Sequence, residues 1–247
     1  SVEKIKWFFK RKLGKLPDYF NGEGDRPHYG YTMMKAAMLA KNLGYSRVTI
    51  IEFGVANGAG LICIEKNIKL IKKKIDIDFD VLGFDSSIGL PKPKDYRDEP
   101  FKWQEGFYKM DRVAVEKKLE ISKLVIGDVS KTVLNESLFK KDSPIGCIMF
   151  DLDMYSSTKS ALKVFNLNHD LLLPRVNCYF DDIGSIEFIG ERLAIEEFNQ
   201  KNKKRKIGQN YKLLFNSKCR GNYIYEMHNF NHPHYSKHSD LNKSSLL

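Results

Sequence analysis

Residues 48–61 read VTIIEFGVANGAGL, and the architecture of the chain follows most directly from this segment. Its first six residues are apolar or β-branched apart from Glu52, which is typical of a buried strand. Three glycines follow at positions 54, 58 and 60 and predict a tight turn, and the apolar spacing from Leu61 to Lys74 predicts a helix. A strand, a glycine-rich turn and a helix in this order predict a ligand site at the carboxyl end of the strand.

The alternation of strands and helices continues along the chain. Further strands are predicted at 79–84, 123–126, 145–150, 176–180, 211–215 and 223–227, and further helices at 32–43, 111–119, 157–166 and 190–199. Such a pattern predicts an α/β, Rossmann-like fold, with a mostly parallel sheet of about seven strands, an antiparallel C-terminal strand and helices on both faces. We expect one such domain at 29–228, a basic N-terminal extension at 1–28 and a polar, flexible tail at 229–247.

Composition narrows the class of protein. The chain has 247 residues, a net charge of +10 and no apolar run long enough to span a bilayer. The positive charge favours either a lysine-rich solvated surface or an anionic partner. The four cysteines form no CxxC pair, so a reducing, cytoplasmic setting is expected. Whether the chain forms a homodimer stays open.

The spacing of the glycines argues for one class of cofactor over another. A dinucleotide site requires G-x-G-x-x-G, whereas residues 54–60 have G-x-x-x-G-x-G. A carboxylate at Glu52 suits a cationic or amine-bearing ligand better than a pyrophosphate. S-adenosylmethionine (SAM) carries both an ammonium and a sulfonium group, so this turn is interpreted as a SAM site; the alternative is an ordinary strand–helix turn.

Two further strand ends carry residues that suit the same ligand. Asp85 follows the second strand, where a carboxylate can accept both hydroxyl protons of a ribose. Gly127 and Asp128 follow the third strand, where a side chain could bind an adenine amino group. The alternative for Asp85 is a helix N-cap. Three consecutive strand ends therefore predict one ligand-shaped crevice.

Four aspartates follow the fourth and fifth strands: Asp151, Asp153, Asp181 and Asp182. Neighbouring parallel strands lie about 4.7–4.9 Å apart, so these carboxylates are expected to crowd one crevice and to raise one another's pKa. A divalent cation removes the conflict, and oxygen ligands suit Mg²⁺, Mn²⁺ or Ca²⁺. Asp151 could then act as the general base toward an acceptor hydroxyl. The alternative is helix capping and salt bridges to lysines.

Histidines offer weaker candidates. His28 precedes the first predicted helix and is either a ligand or base for the substrate or, more commonly, a polar surface residue. The C-terminal histidines at 228, 232, 234 and 238 match no standard zinc spacing, and a solvated tail is expected.

Taken in order, several segments resemble the macrocin O-methyltransferase family of class I SAM-dependent methyltransferases. They are IIEFGVANGAGL (50–61), GFDSSIGLP (83–91), WQEGFY (103–108), FDLDMYSSTKSAL (150–162) and YFDDIG (179–184). The resemblance implies Mg²⁺-assisted methyl transfer from SAM to a hydroxyl, typically on a sugar.

The resemblance also implies roles for individual residues. The methionine end of SAM would contact Glu52, Gly54, Val55, Ala56, Asn57 and Gly58, and the ribose Asp85 and Ser86, covered by the turn at 89–91. The metal ligands would be Asp151, Asp181 and Asp182, with Asp151 as base. Two departures are that Leu152 stands where the family has glycine, and that Pro174-Arg175 replaces a Gly-Gly turn.

Two other functions remain open from the residues alone. The positive charge favours a nucleic-acid methyltransferase, although the chain has no Asn/Asp-Pro-Pro-Tyr motif. A non-catalytic binding protein could retain the same fold, since fold does not determine function. An oxidoreductase is disfavoured by the glycine spacing.

Overall fold

The structure, a computed structural model, describes residues 26–184, 186–211, 213 and 220–236. Its helices are α1 (Pro27–Asn42), α2 (Ala59–Lys72), α3 (Arg112–Glu116), α4 (Val129–Thr132), α5 (Tyr155–Ala161) and α6 (Gly190–Lys201). Its strands are β1 (Arg47–Phe53), β2 (Asp78–Asp85), β3 (Lys123–Ile126), β4 (Ile145–Phe150), β5 (Leu172–Phe180), β6 (Arg205–Gln209) and β7 (Ile224–Asn229). The first 25 residues and those beyond 236 lie outside the described part, so the predicted extension and the end of the tail stay predictions.

These strands form one sheet in the order β3-β2-β1-β4-β5-β7-β6. Strands β1 to β5 pair in parallel, and β7 runs antiparallel to both β5 and β6. The predicted mostly parallel sheet with an antiparallel C-terminal strand is confirmed. The strand order reverses between β1 and β4, and a crevice for ligands is expected outside the carboxyl ends of such strands.

Both faces of the sheet are buried. Side chains of Ile50 and Met149 pack with α1 and α2 on one face. Their chain neighbours Ile51 and Phe150 pack with α5 and α6 on the other face. Because alternate side chains point to opposite faces, a strand covered on both sides reads as a continuous apolar run, which is the pattern of β1 and β4.

A row of four phenylalanines lies across the sheet beneath the carboxyl ends of its strands. Phe53 pairs in register with Phe84 and Phe150, and Phe150 pairs with Phe180. The rings of Phe150 and Phe180 stack with centroids 4.5 Å apart, and the ring of Phe53 lies 5.0 Å from that of Phe84. Each phenylalanine is followed by Gly54, Asp85, Asp151 or Asp181, so these four residues emerge at the same level.

A register shift between β4 and β5 accommodates the unusual Pro174-Arg175 segment. Ile145 pairs with Leu172 and Cys147 pairs with Asn177, so two steps along β4 match five along β5. Pro174 lies in this bulge, where its missing N–H removes no bond from the regular ladder. From Asn177 onward the pairing is regular, and Asp181 therefore stays level with Asp151.

The strand predicted at 211–215 is not found at 211 and 213, the two of its residues that the structure describes; 212, 214 and 215 lie outside the described part. The strand before β7 is β6, at Arg205–Gln209, and Tyr211 and Leu213 lie in a turn. Strand β6 lies at the edge of the sheet, and Ile207 is its one buried side chain. Because so little of the strand is buried, its sequence RKIGQ lacks the apolar pattern by which a strand is predicted. Buried Leu213 packs against the core from the turn, and its apolar character is what made the segment resemble a strand.

Residues 232–234 pack beside Tyr45 and His169, which precede β1 and β5, and so lie at the amino ends of the strands, away from the crevice. His232 is only 6% exposed, unlike the solvated side chain expected from the sequence, and its Nδ1 accepts the backbone N–H of His234 at 3.1 Å. Burial, together with the nearby His234 and His169, lowers the pKa of His232 to about 4. The folded protein therefore favours the neutral ring.

Acid is expected to weaken this packing. Because the folded pKa of His232 lies below the unfolded value, its contribution to stability is complete above pH 6.5 and is lost as the pH falls toward 4. The slope reaches at most about 1.4 kcal/mol per pH unit. Thermal unfolding from pH 7 to 4.5 should show a smaller loss of Tm for His232→Gln than for the wild type; parallel curves would contradict this assignment.

Candidate functional site

A cleft of about 700 Å³ opens at the carboxyl ends of the parallel strands. It is lined by residues that follow β1, β2, β3, β4 and β5 and by part of the loop after β2. The residues predicted from the sequence that line it are Glu52, Gly54, Val55, Ala56, Asn57, Asp85, Ser86, Gly127, Asp128, Asp151, Asp181 and Asp182. Of the residues predicted to bind the cofactor or the metal, only Gly58 lies outside this lining.

The glycine-rich turn brings the ends of β1 and β4 very close together. Gly54 has φ +85°, and a Cβ there would lie 1.7 Å from the backbone oxygen of Asp151. At Gly60 a Cβ would lie 1.6 Å from Oε1 of Glu52. Glycine is therefore required at both positions, by backbone approach at Gly54 and by the buried carboxylate at Gly60.

Gly58 does not line the cleft and packs against a neighbouring helix instead. It precedes α2 with φ +83°, and a Cβ there would lie 2.9 Å from the side chain of Val115 in α3. The turn thus packs its outer side against α3 and turns its inner side, residues 54–57, to the cleft.

Glu52 is an almost completely buried carboxyl group in the cleft wall. It is 1% exposed; Oε1 accepts the Tyr29 hydroxyl at 3.0 Å, and Oε2 has no hydrogen-bond partner among the described residues. Burial, and next the charge of Asp151, raises the pKa of Glu52 to about 8. A buried polar atom without a partner is uncommon, and this one borders the space a ligand would fill.

Arg26 lies beside Glu52 and was not identified from the sequence, which offers only a loop arginine before Pro27. Its Nη1 donates to the Tyr29 hydroxyl at 2.8 Å and lies 3.8 Å from Oδ2 of Asp151. Arg26 thus links the Glu52 side of the cleft to its aspartates through Tyr29.

The carboxylate of Asp85 organises two turns at once. Oδ2 accepts the backbone N–H groups of Val55 and Ala56, both at 2.9 Å, and Oδ1 accepts that of Ser87 at 2.6 Å. Asp85 therefore ties the glycine-rich turn to the end of β2 and also faces the cleft. The Ser86 hydroxyl donates to the carbonyl of Gly89 and shapes the next turn.

Residues 86–110, the cover loop, fold back over the cleft. Leu90 and Phe107 pair through a backbone hydrogen bond of 2.8 Å, and the turn at 89–91 lines the cleft. Trp103 and Tyr108 line it too. Buried Asp98 anchors the loop, because its carboxylate accepts the backbone N–H of Ser156, at the start of α5, at 2.7 Å. Sequence reasoning recognised this segment by resemblance but missed its anchor.

Asp128 combines a capping role with its place in the cleft. Its Oδ1 accepts the backbone N–H of Ser130 at 2.8 Å, and hydrogen bonds from Ser130, first from its hydroxyl and next from its backbone N–H, lower the pKa of Asp128. The side chain is exposed at the start of α4 and lines the cleft beside the third strand end.

The aspartates predicted at the fourth and fifth strand ends do come together. Asp151, Asp181 and Asp182, the aspartate triad, each offer an oxygen within 4.8 Å of the others. Burial and then the charge of Asp181 raise the pKa of Asp151 to about 7, and burial with Asp181 also raises that of Asp182. Asp153 is close by, and burial with the charge of Asp182 raises its pKa to about 8. Within the described residues, no other group of three such side chains meets this geometry.

Each member of the triad has a basic neighbour from a different part of the chain. Arg220 Nη1 lies 2.9 Å from Asp181, and Lys102 Nζ lies 3.7 Å from Asp182. Arg26 is the neighbour of Asp151. Neither Lys102 nor Arg220 was predicted, because the contacts join residues far apart in the sequence.

A further carboxyl group lies behind the triad. Glu191, near the start of α6, is fully buried, and its Oε2 accepts the backbone N–H of Asp182 at 2.9 Å. Burial, followed by the charges of Asp182, Asp151 and Asp181, raises its pKa well above the ordinary value. No local pattern singles it out, since it reads as an acidic residue in the first turn of a helix.

His28 does not line the cleft. It is buried, and its ring stacks on Tyr179 with centroids 4.2 Å apart. Burial, and next the charge of Arg220, lowers the pKa of His28 to about 3. The structure therefore places it in the core beneath the triad, whereas the sequence favoured a surface residue.

None of the described helices is both long and apolar enough to cross a membrane. No protein-family model matches the sequence, and no curated protein matches it. Solved structures do match. The calicheamicin methyltransferase CalS11 has a TM-score of 0.54 and 21% identity, over 81% of this chain and 85% of CalS11. The O-methyltransferase NovP has a TM-score of 0.53 and 14% identity, over 71% of this chain and 72% of NovP.

The chain has a Rossmann-like fold, which it shares with these two methyltransferases. In this fold the cleft lies where the sheet places ligands, over the strands on either side of the β1/β4 reversal. At these levels of identity the likeness establishes the fold alone, because one fold can support many different reactions.

Proposed function

We propose that the protein is a SAM-dependent O-methyltransferase that methylates a hydroxyl of a sugar or another small molecule. The reaction uses a divalent cation, and Mg²⁺ is the cation we expect. The observation that carries the proposal is a single cleft that joins the glycine-rich turn, Asp85 and the aspartate triad. A strand–helix turn that binds no ligand would give no reason for the glycine-rich turn, Asp85 and the aspartate triad to line the same cleft.

The part of the cleft over β1 and β2 suits SAM. Gly54 and Gly60 open the space around Glu52, whose Oε2 is an acceptor without a partner among the described residues and suits the ammonium group of the methionine end. Asp85 borders the cleft one strand further on and suits the ribose. Asp128 would then face the adenine.

The aspartate triad suits a hard divalent cation. It offers carboxylate oxygens only, which are the ligands that Mg²⁺ prefers, and their mutual repulsion is relieved by a positive ion. A bound cation supplies a Lewis acid that lowers the pKa of an acceptor hydroxyl. Asp151, the triad member next to the glycine-rich turn, would take the hydroxyl proton, and Lys102 and Arg220 balance the charge of the other two carboxylates.

The acceptor side of the cleft favours a small hydroxylated molecule over nucleic acid. Trp103 and Tyr108 offer aromatic surfaces against which a sugar ring can pack. The carboxyl groups of the triad and Asp153 would repel the phosphates of a nucleic acid, so the net charge of +10 reflects the surface rather than the cleft. CalS11 and NovP, described as a methyltransferase and an O-methyltransferase, agree in type with this proposal.

Calorimetric titration of the full chain tests the proposal. SAM is expected to bind with or without Mg²⁺, and Mg²⁺ is expected to bind to the wild type but not to a variant with Asp181→Asn and Asp182→Asn together. NAD serves as the control ligand and should not bind. Absence of SAM binding would refute the proposal; SAM binding without methyl transfer to any hydroxylated compound would favour a non-catalytic binding protein.

Replacing Asp85 by alanine is expected to weaken SAM binding by about 1–3 kcal/mol, the scale of lost hydrogen bonds to a charged group. The change removes the acceptor for the ribose and frees the N–H groups of Val55 and Ala56. The matched control is Asp78→Ala, at the opposite end of β2. Titration of both variants with SAM measures the effect, and equal affinity in both would remove Asp85 from the cofactor site.

A further inference from the structure

Glu191 stands out among the buried groups because its environment does not suit a carboxylate. It is 0% exposed, Oε1 has no hydrogen-bond partner among the described residues, and no lysine or arginine there forms an ion pair with it. Burying an unpaired charge is costly, and a glutamine or an apolar side chain would fill the same space at lower cost.

The one hydrogen bond that Glu191 makes within the described part of the chain is directed at the triad. Its Oε2 accepts the backbone N–H of Asp182 at 2.9 Å, and the next residue, Arg192, donates to the carbonyl of Ile183 at 3.0 Å. Two consecutive residues of α6 thus hold the backbone that carries Asp181 and Asp182. The location in the first turn of a twelve-residue helix also favours an acidic side chain, because the helix dipole is positive there.

We propose that Glu191 is a positioning residue for the cation site: by accepting the N–H of Asp182 it fixes the orientation in which the Asp181 and Asp182 carboxylates meet a cation. The proposal rests on the cation site of the proposed function. Groups that orient metal ligands commonly change metal affinity by about 10–100-fold when they are removed. Oε1, on the same carboxylate, remains available to a donor that the described side chains do not supply.

Two substitutions of Glu191 test separately its hydrogen-bond-accepting oxygen and the volume of its side chain. Glu191→Gln keeps an oxygen that can accept the Asp182 N–H and removes the ionisable group. Glu191→Met keeps the length of the side chain and removes the acceptor. Arg192→Gln is the matched control, since it loosens the neighbouring contact with Ile183 and leaves the Asp182 N–H bonded.

The experiment is a calorimetric titration of the full chain with Mg²⁺, with S-adenosylhomocysteine affinity and Tm measured on the same samples. Glu191→Met should bind Mg²⁺ at least about tenfold more weakly than the wild type, whereas Glu191→Gln should stay within about threefold. S-adenosylhomocysteine affinity should change less than about twofold in both. The Tm of Glu191→Gln should equal or exceed that of the wild type, because the cost of burying an ionisable carboxyl group beside other carboxyl groups has been removed.

The outcomes distinguish this proposal from the proposed function. Wild-type protein that binds no Mg²⁺ would overturn the cation site and this proposal together. Wild-type protein that binds Mg²⁺, with Glu191→Met binding it equally well, would overturn the role of Glu191 alone. An equal loss in Arg192→Gln, or an equal loss of S-adenosylhomocysteine affinity, would show that Glu191 merely stabilises the loop and would also overturn it.

Discussion

Asp151→Asn is expected to lower the rate of methyl transfer by about 10²–10⁴-fold, the range over which a positioned general base contributes. Asp151 lies in the cleft shared with the glycine-rich turn, within 4.8 Å of oxygens from the other two triad members. Asparagine has the same shape and cannot accept the hydroxyl proton. The affinity for SAM should change little, because the change leaves Glu52 and Asp85 in place.

The measurement is the release of S-adenosylhomocysteine with a hydroxylated acceptor found by screening the wild-type protein. Asp170→Asn, a change of an acidic residue just before β5, at the end of that strand away from the cleft, is the control and should keep the wild-type rate. Mg²⁺ titration of Asp151→Asn separates two roles: a variant that binds Mg²⁺ and transfers no methyl group identifies Asp151 as the base. A rate near that of the wild type would refute the assignment.

Gly54→Ala is expected to destabilise the protein by about 2–5 kcal/mol. The left-handed backbone at φ +85° costs an alanine about 1–2 kcal/mol. The overlap of its Cβ with the Asp151 carbonyl, at 1.7 Å, adds about 1–3 kcal/mol, because only a shift of backbone can relieve it. Since Gly54 joins β1 to the cleft, the same shift should also weaken SAM binding.

Two other glycines provide graded controls for this prediction. Gly44 has φ +87°, and no atom lies within 4 Å of the place that a Cβ would take, so Gly44→Ala should cost about 1–2 kcal/mol from the backbone alone. Gly208 has neither feature, and Gly208→Ala should change stability by less than about 0.5 kcal/mol. Urea unfolding of the three variants measures the series; a Gly54 variant as stable as the Gly208 variant would show that β1 and β4 do not approach so closely.

The parts of the site that follow a strand directly could be predicted from the sequence. Phe84-Asp85, Phe150-Asp151 and Phe180-Asp181 each join a buried aromatic residue to an aspartate. Each pair marks a strand end locally, and parallel pairing brings the ends together without further information. All three aspartates line the cleft, and Gly58 is the exception among the cofactor and metal residues named from the sequence.

The partners of these residues could not be predicted in the same way. Arg26, Lys102 and Arg220 reach the triad from the start of α1, from the cover loop and from the turn before β7. Glu191 reaches it from α6. Their positions depend on how distant segments pack, and a charged residue in a loop carries no local sign of its eventual partner.

Local sequence is enough to account for the alternation of strands and helices, the glycine-rich turn and the aspartates at the strand ends, because hydrophobic periodicity and backbone freedom act between near neighbours. Long-range packing alone accounts for the start of β6 at Arg205, for the burial of His28, and for the cations and the buried glutamate that surround the aspartates. Those features arise when side chains from separate segments compete for one interior, where burial and charge depend on every neighbour at once.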